Sequence, residues 1–227
     1  MDFLSGKYIV RMRMADDVAG LSCDHNFQSK HGIWKVLCRD FLQGYVPADS
    51  TVLDVGSGAG AFINNITARR KIAVDKDERS RQHLSDDVEF LHSKASDIRD
   101  LDGGSVDVVF ISNVLEHLTR DEIVKALLEA KRLLRPGGSL LILQPNIRFC
   151  SQDYWMFFDH ITPLDDRALK DLLETQGYTV TESIDRFLPY TTQSTLPQSP
   201  LLMRIYLKLR FLWLLFGAQT FIKAEKK

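Results

Sequence analysis

Val52-Leu53-Asp54-Val55-Gly56-Ser57-Gly58-Ala59-Gly60 is the stretch whose reading decides the fold of this chain. An apolar run of strand formers leads into glycines at every second position. Residues 59–67 then read as a helix. Glycines let a backbone turn tightly and approach a ligand with no Cβ in the way. The N–H groups and positive dipole end of a following helix would face that ligand. A plain tight turn between strand and helix is the other reading of these residues.

The surroundings decide between them. Downstream, 71–75 and 88–92 read as short strands, with a polar helical stretch to about residue 85 between them. The run 106–112 is very apolar, as a strand buried on both faces should be. Residues 119–134 carry apolar side chains at Ile123, Ala126, Leu127, Ala130, Leu133 and Leu134, which is helical spacing. Thr119 and Glu122 form a capping box at the start, and Pro136-Gly137-Gly138 marks the stop. A strand over 139–143 follows. Strand and helix alternating at this rhythm imply an α/β protein with a parallel sheet and right-handed crossovers. Later, 164–176 reads as a helix capped by Thr162 with Pro163 at its first position, followed by strands at 178–187 and 219–224. Upstream, 32–45 is helical in spacing. The partition expected is a helical extension, 1–49, over the cleft, and one domain, 50–227, with an apolar basic insertion at 188–217.

Composition narrows the class. The 227 residues are 44% hydrophobic and 26% charged, with a net charge of −1. That suits a globular protein with a real core and not a basic binder of polyanions. Cys23, Cys38 and Cys150 are widely spaced, which indicates neither a disulfide framework nor a structural zinc site. The first ten residues hold Asp2 and Lys7 and no long apolar run, so no signal peptide is expected there and a cytoplasmic location is.

Which ligand the glycine loop takes depends on its acids. Gly56 to Ala61 satisfies G-x-G-x-x-A, and Asp75 ends the second strand where a ribose diol would be held. An NAD(P)-dependent oxidoreductase or epimerase is therefore a rival. Against it, Asp54 would repel a pyrophosphate but attract an ammonium. Asp97 closes the third strand unit, where it can accept from an adenine amino group. No tyrosine has a lysine four residues on, as the Tyr-x-x-x-Lys pair of such enzymes requires.

In order, LDVGSGAG, IAVDKDE, SDIRDL, DVVFISNVLEHL and LLRPGGSLLIL resemble the motifs of class I S-adenosylmethionine-dependent methyltransferases. The resemblance covers about 50–187. It implies a Rossmann-like sandwich: a seven-stranded, mostly parallel sheet, an antiparallel last strand and helices on both faces. It implies S-adenosylmethionine as cofactor, held by Asp54, Gly56, Ser57, Gly58, Gly60, Asp75, Lys76, Asp97, Ile98, Asn113 and Val114. A non-catalytic module of the same fold is a further rival, and the intact acids and glycines argue against it.

Methyl transfer is a displacement in which the protein aligns the acceptor and excludes water. A hydroxyl acceptor benefits from a general base. His160 and His117, near the carboxyl edge of the sheet, are the catalytic candidates. Asp159 is expected to point away from its neighbour His160. No [DN]-P-P-[YF] motif follows the fourth strand and no basic aromatic stripe lies on the core, so nucleic acid is not expected. The segment 200–217 is apolar, with three cations and no acid. Either it packs on the domain or another subunit, or it is an amphipathic patch for a membrane surface or a lipid-linked acceptor. Residues 144–217 also resemble a bacterial methyltransferase subfamily of cell-surface polysaccharide biosynthesis, which implies a small-molecule or glycan hydroxyl as acceptor.

Overall fold

Thr51–Val55 (β1) is buried along its whole length and pairs in parallel on both sides. In the computed structural model, which describes residues 24–190 and 199–227, its neighbours are Arg70–Asp75 (β2) and Val106–Ser112 (β4). Val88–His92 (β3) pairs with β2, and Leu134–Pro145 (β5) with β4. Tyr178–Ile184 (β6) and Gln219–Lys226 (β7) complete seven strands in the order β3-β2-β1-β4-β5-β7-β6. β7 runs antiparallel to both β5 and β6. Strand order reverses between β1 and β4. Such a switch point opens a crevice at the carboxyl ends of the strands, where Gly56 and Asn113 begin their loops.

Side chains alternate across the sheet, so each strand feeds two cores. Leu53, Val109 and Ile142 meet Ile123 and Leu127 of Arg120–Leu133 (α2) on one face. Leu169 and Leu173 of Asp166–Thr175 (α4) join them. Val52, Phe110 and Leu141 face the other way, toward Leu37 and Cys38 of Asp24–Asp40 (α1). Phe62, Phe187, Tyr206 and Trp213 fill the rest of that layer. Ile147–Tyr154 (α3) follows β5, while Pro200–Lys208 (α5) and Arg210–Phe216 (α6) precede β7. α5 lies against α1, with Arg204 3.2 Å from Asp40.

Several expected boundaries are corrected. No α-helix spans 59–67; turns lead to a single 3-10 turn at Ile63–Asn65. The Asn64 amide donates to the His83 carbonyl and accepts from the Ser85 N–H, and Asn65 donates to Ala61. Such bonds compete with helix propagation. The polar stretch to residue 85 is likewise a 3-10 helix, Glu78–His83. α4 starts two residues later than the pattern suggests, at Asp166. Asp165 caps it by accepting from the Arg167 and Ala168 N–H groups, while the Thr162 hydroxyl donates to the Leu118 carbonyl. β5 starts at Leu134, through the Pro-Gly-Gly expected to precede it, because Leu134 already pairs with Val106. The first 23 residues of the expected extension, with Cys23, lie outside the described residues, as do 191–198 of the insertion.

Candidate active site

The glycine loop leaves β1 with its own N–H groups engaged. Gly56 and Ser57 donate to the Val74 carbonyl at 2.8 and 3.1 Å, and Gly60 donates to Ser57 at 2.8 Å. Gly58 donates to Asp75 Oδ2 at 2.8 Å. The other oxygen of Asp75 accepts from the Asp77 N–H at 2.9 Å. With no α-helix behind it, this loop does not present the free, aligned N–H groups on which a pyrophosphate is held.

Acid and space are what it does present. Asp54 is 3% exposed at the end of β1. Burial pushes its carboxyl up to about 8; an N–H of Ile63 offsets part of the shift and the Asp75 charge adds to it. No cation among the described residues balances it. The Ser57 hydroxyl, also buried, has no hydrogen-bond partner. A Cβ on Gly58 would meet nothing within 4 Å. Gly56 is packed instead: a Cβ there would lie 2.3 Å from Val114 Cγ2. That contact brings the first-strand loop against the fourth-strand motif, which are distant in sequence. Asn113 takes a left-handed φ of 51°, is exposed, and donates its N–H to Leu143 at 2.9 Å.

The remaining cofactor candidates face protein partners. Lys76 is exposed, with its carbonyl 2.9 Å from His92 Nε2. Asp97 is exposed and bridged to Arg99 at 2.8 Å. Ile98 is buried and donates its N–H to Glu129 at 2.8 Å.

Both histidines converge. Leu115–His117 forms a 3-10 turn after β4, and the 160–162 segment is strapped to it. Ile161 and Thr162 donate N–H groups to the Glu116 carbonyl at 2.8 and 3.1 Å, and Tyr154 Oη holds the Thr162 carbonyl at 2.7 Å. This places the rings of His117 and His160 with centroids 5.0 Å apart, nearly perpendicular. His117 Nδ1 lies 3.1 Å from the Asp159 carbonyl and 3.3 Å from Asp159 Oδ2. Asp159 thus turns from His160 as expected, but toward His117. His160 is buried against Tyr154 and Phe157, with Nδ1 unpartnered. Burial, reinforced by His117, lowers its pKa and keeps the ring neutral.

Glu116 is not among the candidates that the sequence names. It is 3% exposed, and its Oε2 has no partner. Burial pushes its carboxyl up to about 8, with Asp159 adding to the shift. Glu116, His117 and His160 each direct one ligand-capable atom into a space where these atoms lie within 4.8 Å of one another. Trp155, Met156, Phe158 and Ile161 form an exposed apolar rim beside the cluster, with Phe158 99% exposed. Gln144, on β5, is a second buried residue that the sequence did not single out; both its amide atoms lack partners.

Comparison with known proteins finds methyltransferases among those similar to this chain. A family described as a methyltransferase domain matches residues 53–142. A probable S-adenosylmethionine-dependent methyltransferase of Mycolicibacterium smegmatis is 34% identical over 137 residues, 58% of this chain and 52% of that protein. A Claviceps purpurea methyltransferase is 33% identical over 96 residues, 39% of this chain and 29% of that one. The chain therefore spans about half or less of the length of these curated relatives. Among solved structures, an Archaeoglobus fulgidus S-adenosylmethionine-dependent methyltransferase superposes with a TM-score of 0.62 at 22% identity, covering 86% of this chain and 94% of that one. At that identity the likeness speaks for the fold. Residues 53–142 of this chain are similar to a methyltransferase domain, and the chain has the fold of S-adenosylmethionine-dependent methyltransferases of known structure.

Proposed function

We propose that this chain transfers the methyl group of S-adenosylmethionine to a hydroxyl oxygen of a sugar or small molecule. Bound in the crevice, that cofactor supplies an electrophilic methyl on a sulfonium. The observation that carries the reading is Asp54, a buried carboxyl near the Asp75 charge with no cation among the described residues to balance it. A pyrophosphate there would add like charge; the ammonium of a methionine moiety would relieve it. In this reading Asp75 takes the ribose hydroxyls and Asp97 the adenine amino group. Lys76 and Ile98 flank those two acids, and Asn113 and Val114 line the methionine side. Binding would exchange the Gly58 N–H on Asp75 for the ligand.

The acceptor side is the Glu116–His117–His160 cluster. His160, neutral and buried, keeps an unpartnered nitrogen in that space, which suits a group that handles an acceptor hydroxyl. The apolar rim from Trp155 to Ile161 and the exposed apolar face of α5 and α6 support an acceptor carried on a lipid, as in cell-surface polysaccharide assembly. No described helix is long and apolar enough to cross a membrane.

Calorimetry with S-adenosylmethionine, S-adenosylhomocysteine and NAD tests the cofactor. The first two are expected to bind and NAD is not; preferential binding of NAD would overturn the assignment. Transfer of labelled methyl to candidate lipid-linked sugars tests the acceptor. His160→Ala is expected to bind S-adenosylhomocysteine within about twofold of the wild type while losing about 10²–10⁴ in turnover. Full turnover in that variant would remove His160 from the reaction.

A further inference from the structure

We propose that Glu116, His117 and His160 form a binding site for one divalent metal ion of the zinc, manganese or iron(II) kind. Three observations carry this. The donor atoms are already gathered, within 4.8 Å of one another. Two of these residues also carry a buried, orphaned atom: Glu116 Oε2 and His160 Nδ1 lack any hydrogen-bond partner, a costly state for polar atoms unless a ligand satisfies them. The third is oriented from behind. His117 Nδ1 faces the Asp159 carbonyl and carboxylate at 3.1 and 3.3 Å, which places its proton on Nδ1 and leaves the Nε2 lone pair free. An imidazole fixed by a carboxylate on one nitrogen and open on the other is the usual arrangement of a metal-binding histidine.

The donor set selects the ion. Two imidazoles and one carboxylate suit borderline transition metals; magnesium and calcium prefer oxygen alone. Three protein ligands leave at least one position open, as in catalytic rather than structural sites. If the acceptor reading above holds, on which this last step rests, an acceptor hydroxyl would take that position. The ion would polarise its O–H bond, and the proton would leave to solvent. His160 then serves as a ligand, with its lone pair on the ion.

The test is equilibrium dialysis of chelator-treated full chain against Zn²⁺, with bound metal counted by elemental analysis, and Co²⁺ as an optical probe. The wild type is expected to hold about one ion per chain and to give a visible Co²⁺ band of low-symmetry coordination. Glu116→Gln and His160→Ala are expected to bind at least 100-fold more weakly, and Asp159→Asn about 10-fold. His117→Phe guards against misfolding of the buried variants, because that ring is partly exposed. Stoichiometric binding that survives in His117→Phe and Glu116→Gln, or no binding by the wild type, overturns the proposal. S-adenosylhomocysteine calorimetry on the same samples separates the two claims. Cofactor binding without metal refutes only the ion site, and metal binding without cofactor refutes only the methyltransferase reading.

Discussion

Gly56 and Gly58 are two residues apart, and both take left-handed φ angles, 73° and 50°. Their substitutions should nevertheless fail in different ways. At Gly56 an alanine Cβ would strike Val114, so strain adds to overlap. Gly56→Ala is expected to cost about 2–4 kcal/mol of stability in denaturant titrations. At Gly58 the Cβ enters open space, so Gly58→Ala costs about 1–2 kcal/mol but intrudes where the ligand would lie. It should fold and bind S-adenosylhomocysteine at least 10-fold more weakly. Asp54 gives the companion prediction in pH. Its folded pKa, about 8, lies above the ordinary carboxylate value. The folded state therefore binds the extra proton between roughly pH 4 and pH 8, and this group's contribution to stability falls as pH rises through that window. An ammonium placed opposite favours the carboxylate. Cofactor binding at pH 7 should then release up to about one proton, and affinity should climb toward pH 8 and level off above it. Calorimetry in buffers of different ionisation enthalpy reads that proton directly. Asp54→Asn should raise the thermal midpoint at pH 8 while weakening cofactor binding.

At the scale of elements, legibility depended on where a segment's hydrogen bonds go. The strands were readable because five-to-seven-residue apolar runs such as β1 and β4 have no other stable burial. α2 was readable to within a residue because its capping box is local: the Thr119 side chain accepts from the Glu122 N–H and Glu122 from the Thr119 N–H. Thr119→Ala should cost about 1 kcal/mol and lower the thermal midpoint by about 2–4 °C. The segment after the glycines misled because the Asn64 amide is satisfied from a distant loop, at His83 and Ser85. Nothing local announces that. Likewise Thr162-Pro163 fits a helix start as well as Asp165 does; only the bond from Thr162 to Leu118, across the site, decides it. The same holds for the candidate site residues. The acids and glycines proposed to hold the cofactor sit at successive strand ends and in the loops after them, so each is readable from local sequence. Glu116, His117 and His160 meet only because the 160–162 segment is strapped onto the Glu116 carbonyl, a tertiary contact with no sequence period.

Across the whole molecule, charge and apolar surface are unevenly placed. Residues 188–227 carry six cations against one acid on a chain whose net charge is −1. The helices in that region are split by face. Tyr206 and Trp213 are buried in the core, and the Tyr206 hydroxyl donates to the Phe187 carbonyl at 2.6 Å. Leu201, Leu202, Ile205, Phe211, Leu214 and Leu215 stay exposed on the other side. Both sequence readings thus describe a face of the same segment: one packs on the domain, and the other is apolar and solvent-facing, bordered by Arg204, Lys208 and Arg210. If the acceptor is lipid-borne as proposed above, an exposed apolar patch with basic neighbours would suit the surface of an anionic bilayer, where each cation would contribute about 1 kcal/mol and the apolar side chains would insert. Arg204 is held by Asp40 at 3.2 Å, so Lys208 and Arg210 are the cations to change. The chain should float with vesicles containing phosphatidylserine and not with phosphatidylcholine alone, and added salt should release it. Lys208→Glu with Arg210→Glu should abolish flotation, and Leu214→Ser with Leu215→Ser should weaken it at any salt concentration. In both, S-adenosylhomocysteine affinity should stay within about twofold, because neither pair touches the crevice at β1 and β4. No flotation of the wild type would assign this face to protein packing instead, and equal flotation of the wild type and the charge-reversed chain would remove Lys208 and Arg210 from the contact.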